Sequence, residues 1–398
     1  MRVLYLHPAG AFGGASKSLI ELYRQLAGRG VKGTVVTPSG SAQGPFAAAG
    51  LDVRAVRGLS QFDNTRYGFY RRLRWIILLR ELFLLPFSLW ALWRMRCEGF
   101  DLIHVNELTL LPLGILAKRL WRVPLVVHVR SLQRKPGEGR RTRWLHALLR
   151  RHADAVVAID HTVAATLGAD LSLSVIHNGL SVEATVPSVS QTSQDRPVQV
   201  GFLGVLIELK GIFELLQAMR ILKQRGVNIR CLVAGENARE LSGLKAWVLA
   251  RLGFGRDVRA ELEALIERHE LHEQVELLGF VADVRTLYPA LDILCFPSHL
   301  DAAGRPVFEA AFYSIPSVVA VANPVEDAIV HEVTGLAVPT PDPVLIADAL
   351  QRLVEDTLLR SQLGQQAKIW AERTFDIGAN AARMHALYSQ LLSSNPGR

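Results

Sequence analysis

Short apolar runs recur along the chain, and stretches with a helical period fall between them. Val3–Leu6, Gly33–Thr37, Leu102–Val105, Leu125–Val129, Ala155–Ile159 and Ser174–Ile176 read as strands buried on both faces, the pattern of a parallel sheet. Ser16–Arg29 and Thr142–His152 carry the helical period between them. Ser181 to Pro197 is rich in Ser, Thr, Val and Pro and has no such period, so it reads as a linker. The alternation then restarts. Strands are expected at Val198–Leu203, Arg230–Ala234, Val275–Leu278, Ile293–Phe296, Val318–Val321 and Leu336–Val338. Helices are expected at Phe213–Gln224, Arg256–His269 and Pro306–Ser314, and a last one at Ile377–Leu392. Two strand–helix arrays in series predict an α/β protein of two doubly wound, Rossmann-like domains. Ligands are then expected at the carboxyl ends of the strands and in the cleft between the halves. The boundaries are 1–180, a linker at 181–197, 198–375, and a helix in 376–398 that packs back across the domain joint.

Composition agrees with two cores and adds an asymmetry. The 398 residues, 49% hydrophobic, suit two domains of about 150–200 residues each. Residues 1–190 carry 25 Lys/Arg against 12 Asp/Glu, and the remainder carries 20 against 25. So uneven a charge suggests that the N-terminal half faces something anionic, such as a membrane surface, a phosphorylated glycan or nucleic acid. Cys97, Cys231 and Cys295 are far apart and have no metal-ligand spacing, which points to a reducing compartment. Val3 to Leu6 opens a strand directly and lacks the features of a signal peptide.

Leu73 to Trp93 is the one stretch that resembles a membrane span, but Arg74, Arg80, Glu81 and Pro86 interrupt it. Its unbroken apolar run, Leu82 to Trp93, is 12 residues, against about 20 for a spanning helix. Arginines at 66, 71, 72, 74, 94 and 96 with Trp75, Trp90 and Trp93 suit a helix lying in a membrane interface. A buried helix pair is the other reading, and both stay open at this stage.

The candidate chemistry sits in loops. Ala9 to Ser16, with Gly13 and Gly14, follows a strand and opens a helix, where backbone N–H groups can approach an anion. It lacks the G-x-G-x-x-G spacing, and no acidic residue ends the second strand at Thr37-Pro38, which argues against an NAD enzyme. Gly204 ends a strand and Lys210-Gly211 opens a helix, a placement suited to a diphosphate. The strongest local signal runs from Phe296 to Ala310. A strand ends there, Asp301 lies on the loop, and Gly304, Arg305, Pro306 and Val307 lead into a helix with Glu309 one turn in. Amides around Gly304–Val307 are expected to face phosphate, Glu309 a ribose, and Asp301 sugar hydroxyls.

Taken in order, these pieces resemble the retaining glycosyltransferases of the GT-B fold, family 4 type, also called glycosyl transferases group 1. The resemblance covers almost the whole chain, from Gly13-Gly14 through Asp101–Asn106, Asn178-Gly179, Gly204, Lys210-Gly211, Leu278–Val281, Leu287-Tyr288, Pro297-Ser298 and Gly304–Ala310 to Pro316 and Thr334-Gly335. It implies that Gly14 and Lys210 hold the donor diphosphate, that Glu309 grips the ribose, and that the turn at Gly279, Phe280 and Val281 meets the base through its backbone. It also implies no metal or other cofactor, with Lys, Arg and helix dipoles supplying the charge.

Four positions depart from the family pattern. Val205 stands where the family has Arg, and Arg305 is the candidate to restore that charge. Asp301 replaces a Glu, and Asn323-Pro324 replaces Gly-Gly. Arg130 occupies the place of the usual active-site His, with His128 two residues earlier on the same strand face. Arg130, His128 and Asp301 are the catalytic candidates.

Arg134, Lys135, Arg140, Arg141, Arg143, Arg150 and Arg151 extend the basic character of the N-terminal half. They point to a lipid-linked or phosphorylated glycan acceptor at an anionic membrane, reached from the cytoplasm, and not to nucleic acid. The resulting expectation is a metal-independent retaining glycosyltransferase of surface polysaccharide or lipopolysaccharide assembly. The alternative is a catalytically silent GT-B domain that binds a glycan or a partner subunit.

Overall fold

A computed structural model describes residues 1–66, 77–135, 137, 139–168, 171, 173–180, 196–237, 257–300 and 302–394. Most of the expected linker, part of the 66–96 basic segment, and Asp301 therefore lie outside the described residues.

The chain divides into two compact units, Met1–Ser181 with Phe375–Arg398, and Val182–Thr374. In the first, β1 (Arg2–Leu6), β2 (Lys32–Pro38), β3 (Asp52–Val56), β4 (Leu102–Val105), β5 (Leu125–Val129), β6 (Ala155–Ala158) and β7 (Leu173–Val175) form a sheet in the order β3-β2-β1-β4-β5-β6-β7. Every pairing is parallel, with Val3 opposite both Gly33 and Leu102. The helices are α1 (Gly14–Ala27), α2 (Gln43–Ala48), α3 (Ile77–Arg94), α4 (Leu111–Trp121), α5 (Arg140–His152) and α6 (His161–Ala165). Both sheet faces are buried. One packs on α3, α4 and α5 through residues such as Leu92, Ile115 and Leu145. The other packs on α1 and on the C-terminal helix Ile377–Ser393, whose Ala381, Met384 and Tyr388 are core residues.

The second unit repeats the plan. Here β8 (Val198–Leu203), β9 (Ile229–Ala234), β10 (Val275–Gly279), β11 (Ile293–Phe296), β12 (Ser317–Ala320) and β13 (Gly335–Val338) run parallel in the order β10-β9-β8-β11-β12-β13. Its helices are α7 (Ile212–Gln224), α8 (Val258–Arg268), α9 (Arg305–Phe312), α10 (Pro343–Glu355) and α11 (Thr357–Thr374), and the Ile377–Ser393 helix is α12. In each sheet the strand order reverses beside the first strand, between β1 and β4 and between β8 and β11. Adjacent crossovers leave the sheet in opposite directions there, opening a crevice at the strands' carboxyl ends.

The apolar pattern located most strands to within a residue. It passed over β3, an edge strand whose Asp52 and Arg54 are exposed and whose sequence lacks a continuous apolar run. Pro86, read as an interruption of the 73–93 stretch, lies inside α3, which continues through it. Pro86 lies on the exposed face, so the Leu82 carbonyl that loses its helical partner is on the solvent side. Among the described residues, no helix is long and apolar enough to cross a membrane.

Candidate functional site

In the second unit, the loops that leave β8 and β11 are stitched together at the crevice. The His299 amide donates to the Leu209 carbonyl at 3.0 Å, and the Ser298 hydroxyl donates to the same oxygen at 3.1 Å. Gly211 ends the turn Glu208–Lys210 and opens α7 with φ +74°, its Cα pressed against the Pro297 carbonyl. Any side chain there would meet both a left-handed backbone and that oxygen, so the position requires glycine. This tight passage lays Lys210 across the end of β11, with its Nζ 4.7 Å from the centre of the Phe296 ring. Burial lowers the Lys210 pKa, and among the described residues the ammonium pairs with no carboxylate. A cation stripped of part of its water and lacking a counter-charge is a receptor for an anion.

Gly304 packs its Cα against the other part of the Phe296 ring and caps α9 in an extended conformation. The helix starts at Arg305, one residue before the expected Pro306. The Val307 amide donates back to the Gly304 carbonyl at 2.9 Å, and Pro306 has no N–H. Pro306 and Val307 thereby set the start of α9.

Glu309 is buried. Its Oε2 accepts the Tyr288 hydroxyl at 2.8 Å and its Oε1 accepts Arg305 Nε at 2.8 Å. Burial, with the Glu309 charge next, raises the Tyr288 pKa, so the phenol remains a proton donor, and Tyr288 stacks on Tyr313 at 5.0 Å. Arg305, the candidate to restore the charge missing at Val205, gives its Nε to Glu309, while Val205 itself is exposed. On the neighbouring strand end, Phe280 is 76% exposed beside Gly279, whose carbonyl accepts the Gly235 amide at 2.8 Å. Gly204 also lies at this edge, its amide donating to the Ala234 carbonyl at 2.9 Å.

The first unit carries a different arrangement at its own crevice. His7, just past β1, holds the Ser16 hydroxyl at 3.0 Å through Nε2 and Asn106 Nδ2 at 2.8 Å through Nδ1. Arg130, just past β5, donates through Nε to Asn106 Oδ1 at 2.8 Å and through a second nitrogen to Asn178 Oδ1, and its third nitrogen sits 3.3 Å from His128 Nδ1. One arginine is thereby fixed by residues from three strand ends.

Burial first and Arg130 second push the His7 pKa down to about 3 and that of His128 well below its ordinary value, so both rings are neutral. His128 is a core residue between His104 and Arg130, buried with its ring 5.3 Å from that of His104. Among the described residues it reaches the crevice through Arg130, whose nitrogen lies 3.3 Å from its Nδ1. Glu107 accepts the Ser131 hydroxyl at 2.7 Å and the Leu108 amide at 2.8 Å, and burial raises its pKa to about 7. Gly13 and Gly14 are exposed at the start of α1, which has no side-chain cap and no acidic residue in its first turn.

The sequence pointed to Lys210, Glu309 and Arg130. It missed His7, Ser16, Asn106, Asn178 and Tyr288 as site residues. The available signal was their position, since His7, Asn106 and Arg130 each follow directly on an apolar strand.

Comparison with known proteins supplies the remaining facts. The family model described as "Glycosyl transferases group 1" matches residues 188–370, and that described as "Glycosyl transferase 4-like domain" matches residues 13–179. The chain is 26% identical to a D-inositol 3-phosphate glycosyltransferase of Corynebacterium diphtheriae, over 96% of this chain and 90% of that protein. It is 23% identical to the capsular polysaccharide biosynthesis glycosyltransferase CapM of Staphylococcus aureus. That match covers 50% of this chain and spans about half of the relative's length, 48%. The crystal structure of Anabaena HepE in complex with UDP superposes with a TM-score of 0.75 at 21% identity, covering 98% of this chain and 100% of that one.

Proposed function

The chain belongs to the group 1 glycosyltransferases, built on the GT-B fold, and on that basis we propose that it transfers a sugar, with retention and without a metal ion, from a nucleoside-diphosphate sugar to a lipid-linked or surface-glycan acceptor. The observation that carries the donor assignment is Lys210, a partly buried cation with no carboxylate partner among the described residues, lying over Phe296 where the strand order reverses. The UDP bound by HepE is consonant with a diphosphate at such a position.

In this reading Lys210 meets the diphosphate charge that grows as the bond from C1 to the leaving oxygen breaks. The new bond to the acceptor oxygen forms on the same face of the sugar, and the acceptor's proton leaves with the nucleoside diphosphate. Glu309, oriented by Tyr288 and Arg305, meets the ribose hydroxyls. Phe280, Gly204 and the Gly304 turn border the donor within the second unit. Asp301 remains the catalytic candidate at the sugar. Arg130, fixed by Asn106 and Asn178, presents charge to the acceptor side, with His128 as a positioning residue. Metal independence follows from Lys210 supplying the charge, and we expect turnover to be indifferent to EDTA. The surplus of arginine in residues 1–190 supports an acceptor presented at an anionic membrane surface, met from the cytoplasmic side.

The test is release of nucleoside diphosphate on incubation with UDP-, GDP- and ADP-sugars. A catalytically silent glycan-binding domain is the competing reading, favoured by Val205 and by the commitment of Arg305 to Glu309. It would bind nucleotide sugars weakly and release nothing from any of them.

A further inference from the structure

The outer face of α3 has no part in either crevice, and its chemistry is unusual. Leu79, Leu82, Phe83, Leu89, Trp90 and Trp93 are each 41–64% exposed. With Pro86 they fall at helical spacings of three and four, so they form one stripe about 21 Å long. The opposite face holds the helix to its unit. Leu84, Ser88, Ala91 and Leu92 are buried, the Ser60 amide donates to Ser88 Oγ at 2.9 Å, and the Gln61 amide donates to Glu81 at 2.7 Å. The helix is therefore apolar on two sides, whereas one side suffices to pack it. An exposed apolar stripe of this length calls for a partner.

The charges beside the stripe indicate which partner. Arg57 stands over Phe83 and Phe87 at 5.5 and 5.4 Å, Arg94 over Trp90 at 4.8 Å, and Arg96 over Trp93 at 3.9 Å. Arg80 is exposed on the same helix, and Glu81, the helix's one acid, is turned inward. Aromatic rings with arginines stacked on them and aliphatic side chains between match the layered boundary of acyl chain and phosphate. A second copy of the chain fits poorly, because a twofold contact through this stripe would bring the same cations together.

We propose that the outer face of α3 is the surface by which this protein docks on an anionic lipid bilayer, lying flat with the 79–93 stripe in the acyl boundary and Arg57, Arg80, Arg94 and Arg96 at the lipid phosphates. The proposal deepens the membrane-presented acceptor reading and rests on it for biological sense, but not for its test.

Full-length protein is sedimented with vesicles of phosphatidylcholine containing phosphatidylglycerol, and with phosphatidylcholine alone. Binding to the first and little to the second is expected, weakening as salt is raised. Trp90→Ser/Trp93→Ser should lose most of the lipid-induced blue shift in fluorescence and bind at least tenfold more weakly. Arg94→Glu/Arg96→Glu should reduce binding by roughly 25-fold or more, at about fivefold per surface arginine. Unchanged vesicle binding in both variants, or none by the parent, overturns the proposal. So does a parent dimer, measured by light scattering, that Trp90→Ser/Trp93→Ser converts to monomer. Donor turnover without vesicles should be the same in parent and variants. Its absence in the parent would defeat the transferase reading and leave the docking result standing.

Discussion

The two units share one sheet order, apart from a seventh strand in the first, and each opens a crevice where that order reverses, yet they furnish it in opposite ways. In the second unit one ammonium, Lys210, lies against an aromatic ring with no charge partner among the described residues. In the first, the guanidinium of Arg130 is held by Asn106, Asn178 and His128, and Asn106 is itself held by His7 and His7 by Ser16. The difference teaches that topology fixes where a ligand can sit, while residual charge at the strand ends fixes what kind. A lone cation suits a group whose charge grows during reaction. A cation pre-positioned by neutral acceptors keeps its full charge and loses only its freedom to move, which suits recognition of a substrate at rest.

The comparison can be broken most readily at Lys210. Replacement by Ala should lower kcat/KM for the donor about 10²–10³-fold, the usual loss when one charge-stabilising donor is removed; steady-state kinetics with the best nucleotide sugar measures it. Arg130→Ala should lower transfer about 10–100-fold while nucleoside diphosphate affinity by calorimetry stays within about twofold of the parent. A parallel loss of nucleotide affinity would mean that the two crevices do not divide the work. Gly211→Ala should cost about 1–3 kcal/mol, from its φ of +74° and the Pro297 carbonyl beneath it, seen as a lower urea midpoint for the second unit.

The smallest effect is on pH dependence, and it belongs to the first unit. Burial, followed by Arg130, holds His7 and His104 near pKa 3 and His128 well below its ordinary value of 6.5. The unfolded chain therefore binds protons below about pH 6.5 that the folded chain refuses, so this stability is present above 6.5 and is lost as pH falls. Glu107 runs the other way. Its pKa rises from 4.5 to about 7, so its contribution is present below 4.5 and is lost as pH rises through 7. Three histidines outweigh one carboxyl, and stability should fall between pH 6.5 and 4.5. His128→Gln should flatten that slope by up to about 1.4 kcal/mol per pH unit, read from denaturation midpoints.

Most of the fold was legible because buried parallel strands leave continuous apolar runs, as at Leu102–Val105 and Ile293–Phe296. Where burial is one-sided the signal fades, which is why β3 escaped. It fades also where a helix is apolar on two faces, which is why α3 read equally as interfacial or buried. In the site, Lys210 and Glu309 were legible because each sits at a fixed offset from a strand end and a glycine. The bonds that set their roles were not. Tyr288 reaches Glu309 across 21 residues and Asn106 reaches His7 across 99, and no local pattern encodes such a meeting. The Arg305–Glu309 pair was within reach, since the residues are one helical turn apart, four positions.

The central claim is that the donor's diphosphate sits in the second unit's crevice. Backbone hydrogen exchange with and without saturating nucleoside diphosphate tests it directly. Protection should concentrate in 203–212 and 297–310 and leave 7–16, 104–107 and 128–131 with at most a minor change. Protection centred on the first unit's strand ends, with 203–212 and 297–310 unaltered, would contradict the account.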